Sequence, residues 1–99
     1  MGRRLDLHAL LLTIAPNVYF QQPEQRLMQY PCIVYHRDYS NTEFADDRPY
    51  MHRKRYLVTV IDESPDSEIP DRVAELPMCL FDRFFTADNL NHYVHRLFF

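Results

Sequence analysis

The segment FADDRPYMHRKRYLVTVIDESP, residues 44–65, decides the fold. The stretch from Tyr50 to Ile61 contains neither Gly nor Pro, and its second half is β-branched, aromatic or aliphatic. This composition is typical of a strand with a buried face. We expect one long strand with a buried end and a polar end that begins with HRKR, residues 52–55. The following run DESPDS favours a turn and the start of a helix, so it ends the strand.

An amphipathic helix is expected near the start of the chain. Its apolar residues recur at helical spacing and are Leu7, Leu10, Leu11 and Ile14. Pro16 and Asn17 end it, because a proline disfavours helical geometry in the residue before it. Val18 to Phe20 is expected to be a short extended segment and residues 21–29 a loop. The strand Cys32 to Arg37 follows, with alternate side chains on opposite faces.

A second, short helix is predicted after the long strand. Ile69, Val73 and Leu76 share one helical face, Pro70 is tolerable in the first turn, and Pro77 ends the helix. Met78 to Thr86 is predicted to be a strand with one face made of Met78, Leu80, Asp82 and Phe84 and the other of Cys79, Phe81, Arg83 and Phe85. A turn at 87–91 leads to a last strand at 92–99.

This order of elements predicts an α+β fold: a mainly antiparallel sheet flanked by an N-terminal helix and a short second helix. The chain has 99 residues, which we interpret as a single domain, 1–99. Its single Gly argues against tight turns with positive φ and against glycine-rich phosphate loops.

Composition and charge narrow the classes of function. The net charge of −3, with acids and bases interspersed, is not that of a domain that wraps nucleic acid through bulk charge. The seven Tyr and seven Phe exceed what a small core can hide, and aromatic residues are enriched at interfaces. We expect no membrane span and no secretion leader, since Asp6 and His8 interrupt the first apolar run.

No catalytic, cofactor or metal site is predicted. Cys32 and Cys79 lie in apolar runs and are interpreted as buried free thiols, although a Cys–His nucleophile is conceivable. His92 and His95 are three residues apart on a strand, which places them on opposite faces and prevents joint chelation. The acidic residues at 62–68 lack the spacing of a calcium loop and are interpreted as caps of the second helix.

The basic run at 52–55 is the best candidate for an electrostatic site. It allows three interpretations: a solvated strand end paired with Glu43, Asp46 or Asp47; salt bridges between subunits; or the wall of a channel that DNA passes through. The preceding connection, 38–49, is long enough to be functional. Phe44 within it is either packed onto the sheet or presented to a partner.

The runs YPCIVYHRD (30–38), residues 44–77 and MCLFDRFFTADNLNHYVHRLFF (78–99) together resemble the tail-completion or tail-terminator proteins of long-tailed bacteriophages. The resemblance extends over nearly the whole chain. Its most specific parts are the polar loop that ends in Pro49 and Tyr50, the strand YLVTVID, and the closing helix–strand–strand unit. These are features of a fold and not of an active site.

The resemblance implies a structural virion protein without enzymatic activity, assembled in the host cytoplasm and located in the tail or neck. It implies a homo-oligomeric ring of six copies that ends the tail tube and contacts the tail tube protein and the head-side connector or neck protein. Viral DNA passes through the lumen of this ring without sequence recognition. The candidate subunit-interface or lumen residues are Phe44, Asp46, Asp47, Arg48, Tyr50, Arg53, Lys54 and Arg55. Alternatives are another neck or head-closure component, a small phage-encoded enzyme, and a nucleic-acid-binding regulator.

Overall fold

The computed structural model describes residues 3–21, 23, 27–38 and 54–99. In chain order the elements are α1 (Arg3–Leu12), β1 (Val18–Phe20), β2 (Cys32–Arg37), β3 (Arg55–Asp62), α2 (Ile69–Ala74), β4 (Cys79–Ala87) and β5 (Leu90–Phe98). The predicted α+β class, with an N-terminal helix and a short second one, is confirmed. The part of the long strand predicted before residue 54 lies outside the described residues.

The five strands form one sheet in the order β1-β2-β3-β5-β4. β3 lies in the middle and pairs antiparallel with β2 on one side and with β5 on the other. β1 runs parallel to β2, while β4 and β5 form an antiparallel hairpin. The segment that the sequence singled out is therefore the central strand, and β4 lies at one edge of the described sheet.

Both helices cover the same face of the sheet. Leu7 and Leu11 of α1 and Val73 of α2 belong to one buried cluster with alternate residues of β3, which include Val58 and Val60. Across this interface the His8 Nδ1 and Tyr35 hydroxyl atoms lie within hydrogen-bonding distance, at 2.8 Å. Among the helices described, none has the length and apolar character needed to cross a membrane.

The opposite face carries a second, smaller cluster. It consists of Met28, Cys32, Val34, Ile61 and Leu90, with Tyr19 and Tyr30 packed against it. The alternation predicted for Cys32 to Arg37 is confirmed, because Ile33 and Tyr35 belong to the helix-covered cluster and Cys32 and Val34 to this one. β2 is thus buried on both faces over residues 32–35, while β3 is buried on the helix-covered face and partly buried on the other.

The expectation that positive-φ turns would be absent is wrong. Gln21, Met78, Asp88 and Asn89 all have φ between 55° and 64°. Asp88 and Asn89 form the two-residue connection between β4 and β5, where Ala87 pairs with Leu90. Two successive left-handed residues are what a two-residue hairpin turn of this kind requires. Asp and Asn tolerate that geometry because their short polar side chains bond to the local backbone.

The predicted division of the β4 side chains between two faces is also wrong. The pairing of β4 with β5 slips between Phe81 and Arg83, so Asp82 is the extra residue of a β-bulge. A bulge reverses the alternation beyond it. Phe81 and Phe84 therefore share the face covered by α2, and Leu80 and Phe85 share the other.

The acidic residues before α2 hold a turn more than they cap the helix. Asp62 accepts a hydrogen bond from the Ser64 backbone N–H at 3.0 Å, and the Ser64 hydroxyl accepts one from Asp66 at 3.1 Å. Glu68 occupies the N-cap position but makes no side-chain cap hydrogen bond. Pro70 lies in the first turn of α2, as predicted.

Candidate interaction surface

The outstanding surface feature of the described chain is an exposed run of large apolar side chains on and beside β4. The exposed fractions are 62% for Leu80, 56% for Phe81, 50% for Phe84, 40% for Phe85 and 38% for Met78. Three of the seven phenylalanines thus sit half in solvent on one nine-residue strand. Exposed apolar groups that adjoin one another commonly mark interaction sites. We call residues 78–86 the β4 surface.

Each exposed ring of the β4 surface is held by one partner on β5. The ring centroids of Phe85 and His92 are 4.6 Å apart and the planes differ by 13°, which is a stacked pair. Phe84 and Tyr93 are 4.9 Å apart in a tilted arrangement. Phe81 meets His95 edge-on at 5.4 Å. The rings are therefore fixed on one side by β5 and open on the other.

A shallow groove of about 580 Å³ lies between α2 and this strand. Its floor is formed by Phe81, Phe84, Tyr93 and His95, and its α2 side by residues that include Asp66, Glu68, Pro70 and Asp71. The groove thus has an aromatic floor and an acidic rim. Such an arrangement resembles a contact surface more than a pocket that encloses a small molecule.

The middle of the β4 surface is charged. Arg83 donates a hydrogen bond to Asp82 at 2.9 Å, and Arg96 of β5 lies 3.6 Å from the same carboxylate. The side chain of Asp82 is mostly covered, Arg83 is largely exposed, and Arg96 is partly exposed. The strand therefore carries an acid and a base side by side, with apolar residues at both ends.

His95 is buried beneath the groove. Burial lowers the pKa of its imidazole from the usual 6.5, although backbone hydrogen bonds with Val58 and Tyr93 oppose the shift. A neutral ring suits a site between Phe81 and the buried core, because a buried cation would be poorly solvated. His95 therefore serves to pack β4 at neutral pH.

The cysteines and histidines considered from the sequence do not form a reactive site. Burial, with the Asp62 charge as a smaller cause, raises the pKa of Cys32 to about 11, and burial raises that of Cys79 to about 11. Thiols with such values are poor nucleophiles at neutral pH. His92 contacts Phe85 and His95 contacts Phe81, on opposite faces of the sheet. In the described ranges no three His, Cys, Asp or Glu side chains converge as metal ligands.

Of the eight candidate interface or lumen residues, the structure describes Lys54 and Arg55. Phe44, Asp46, Asp47, Arg48, Tyr50 and Arg53 lie outside the described residues. Lys54 is exposed, and its carbonyl accepts a hydrogen bond from the Phe99 backbone at 2.9 Å. Arg55 is nearly buried and forms an ion pair with Asp38 at 3.1 Å. This pair joins the end of β2 to the start of β3 within one chain.

The β4 surface was missed as a site in the sequence, although the excess of aromatic residues pointed to an interface. One signal was present: residues 78–85, MCLFDRFF, would place apolar side chains on both faces of a strand. Such a strand is usually central and buried. Only the strand order shows that it lies at an edge.

Comparisons with known proteins identify no relative, since no family model, no curated protein and no solved structure matches the chain.

Proposed function

We propose that this protein is a structural subunit that assembles with copies of itself through the β4 surface. The observation that carries the proposal is the group of half-exposed phenylalanines, each fixed by a partner on β5. Side chains held in place lose little conformational freedom when a partner covers them, which favours binding. Aromatic residues and Arg are also enriched at the centres of protein interfaces.

The narrower proposal follows the resemblance to tail-terminator proteins. In that role the protein forms a ring, of six copies, that ends a phage tail tube and joins it to the head-side connector, with DNA passing through the lumen. The small size and the exposed aromatic surface suit a subunit that packs against neighbouring copies. The modest net charge suits a conduit, because DNA must slide through it without being held. The remaining candidate residues for contacts with the lumen or with neighbours lie at 44–53, outside the described residues.

The proposal is tested by native mass spectrometry and negative-stain imaging of the purified chain. We expect closed rings for the native protein. The variant Phe81→Ser/Phe84→Ser should remain folded but form no closed rings, because both side chains already lie half in solvent and contribute more to contacts with a partner than to the core. Leu12→Ser, at an exposed apolar position of α1, is the matched control and should assemble normally.

A native protein that stays monomeric up to high concentration would contradict self-assembly, and so would normal assembly of the doubly substituted variant. The virion role has a separate test, which is labelling of tails isolated from particles of the encoding phage. Label at the head-proximal end supports the terminator role. If the protein forms rings but no label is found on the tails, it is a self-assembling protein with another function.

A further inference from the structure

We propose that two copies of the chain pair edge to edge, antiparallel, through β4, with Asp82 of each copy opposite Arg83 of the other. This inference does not depend on the virion role. It follows from the order of residues in β4 and from the bulge at Asp82.

The sequence Leu80-Phe81-Asp82-Arg83-Phe84-Phe85 is self-complementary when read in opposite directions. With Asp82 opposite Arg83, Phe81 lies opposite Phe84 and Leu80 opposite Phe85. Each acid then meets a base and each apolar residue meets an apolar residue. A two-fold interface requires this property, because the same patch serves both copies.

Because of the bulge, the residues that this register places opposite each other also point to the same face of the sheet. Residues directly opposite each other in an antiparallel pair point to the same face. Phe81 and Phe84 share the α2 side, and Leu80 and Phe85 share the other side, only because Asp82 shifts the alternation. Without the bulge, Phe81 and Phe84 would point to opposite faces and this register would fail.

The backbone groups agree with the register. Met78 accepts a hydrogen bond from the Phe98 N–H at 3.1 Å, so its backbone turns toward β5. Backbone groups alternate in direction along a strand, so the N–H and C=O groups of Cys79 and Phe81 point away from β5. The same alternation, counted back from the hairpin pair Ala87–Leu90, points those of Phe84 and Thr86 away from β5 as well. The outward groups of Phe81 and Cys79 then face those of Phe84 and Thr86 in the second copy.

The central charges also exclude competing arrangements. Charged side chains and bulges on edge strands commonly prevent unwanted pairing. A parallel pair in register would place Asp82 on Asp82 and Arg83 on Arg83, and an antiparallel pair shifted by two residues would place both charges against apolar side chains. Attraction in one register and repulsion in the others gives specificity. Pairing of this kind joins two copies, and a ring would need a second contact on another surface.

The test uses charge reversal in the full-length protein, followed by sedimentation velocity across a concentration series. Asp82→Arg places two arginines opposite two arginines, and Arg83→Asp places acids opposite acids. Each variant alone should self-associate at least tenfold more weakly than the native chain. An equal mixture of the two should form a 1:1 dimer, because every arginine then faces an aspartate. The double variant Asp82→Arg/Arg83→Asp should pair with itself again.

A second measurement serves if a charge variant does not fold. Cys79 lies opposite Thr86 in the proposed register, so Thr86→Cys should give a covalent dimer on mild oxidation. Ala87→Cys adds the same thiol one residue away on the opposite face and should not cross-link. The proposal is overturned if folded single variants associate like the native chain or their mixture stays monomeric, or if both cysteine variants cross-link equally or neither does. If the charge variants form rings as readily as the native chain, the proposal of self-assembly is retained and only the pairing of Asp82 with Arg83 is overturned.

Discussion

The ring of Phe81 stands edge-on to the imidazole of His95, with the centroids 5.4 Å apart and the planes at 76°. His95 is buried, while 56% of Phe81 is exposed. One exposed ring of the edge strand thus covers a buried titratable group. This relationship links the packing of β4 to pH.

We predict that the protein loses stability as pH falls below about 6.5. Burial lowers the pKa of His95 in the folded state, so the unfolded chain binds the proton more readily. The destabilisation begins near the unfolded value of 6.5 and grows until the folded pKa is reached. His95→Phe should reduce the loss between pH 7.5 and 5 in thermal unfolding. The same substitution at the exposed His36 is the control, and an equal pH dependence in both variants would exclude this role of His95.

Val58→Asp should unfold the protein or cost at least about 3 kcal/mol, because it places an unpaired charge in the core of the central strand. Thr59→Asp, the next residue on the other face, is only partly buried and should cost less. Chemical denaturation measures both. A Val58→Asp protein as stable as the native chain would show that the position is not buried in solution.

Arg55→Glu should destabilise the single chain, because Arg55 and Asp38 are both nearly buried as a pair. Breaking such a pair leaves a poorly solvated charge and costs about 3 kcal/mol. Salt bridges between subunits were one of three interpretations of the basic run, and the partner of Arg55 within the chain favours an effect on folding. The double variant Asp38→Arg/Arg55→Glu should recover about 1 kcal/mol or more.

Lys54→Glu is the matched control for that cycle. Lys54 is exposed, so the reversal should change the free energy of unfolding by less than about 0.5 kcal/mol. Loss of assembly by Lys54→Glu without loss of stability would add this residue to the interface. Equal stability of Arg55→Glu and the native chain would show that the ion pair with Asp38 contributes nothing.

Asn89→Gly should stabilise the hairpin by about 0.5–1 kcal/mol, because Asn89 has a φ of 63° and Gly adopts that geometry without strain. The same change at Asn91, within β5, should destabilise by a similar amount, since Gly weakens a strand. Thermal unfolding compares the two. A less stable Asn89→Gly protein would mean that the asparagine side chain matters more than the backbone strain.

Local patterns predicted the elements that depend on local chemistry. Pro31 and the alternating residues that follow it are sufficient to define β2, whose bounds match the prediction, and Pro70 marks the start of α2. The chemistry of Asp88 and Asn89 was misjudged because only glycine was considered for positive φ.

Other features depend on contacts between distant residues and leave no local pattern. The edge position of β4 follows from strand order, and the bulge at Asp82 from pairing with β5. The partner of Arg55 is Asp38 because the end of β2 lies beside the start of β3, and no spacing rule pairs residues across the connection between them. The site therefore appeared only when the order of the strands was known.

Hydrogen–deuterium exchange at the backbone amides of Phe81 and Phe84 tests most directly whether another chain covers the outer edge of β4. Both amides point away from β5 and should exchange rapidly in dilute protein. We predict that their protection rises steeply with protein concentration, while the protection of the Ser64 amide, which is hydrogen-bonded to Asp62 within one chain, does not change with concentration. Rapid exchange of both amides at every concentration would contradict the account.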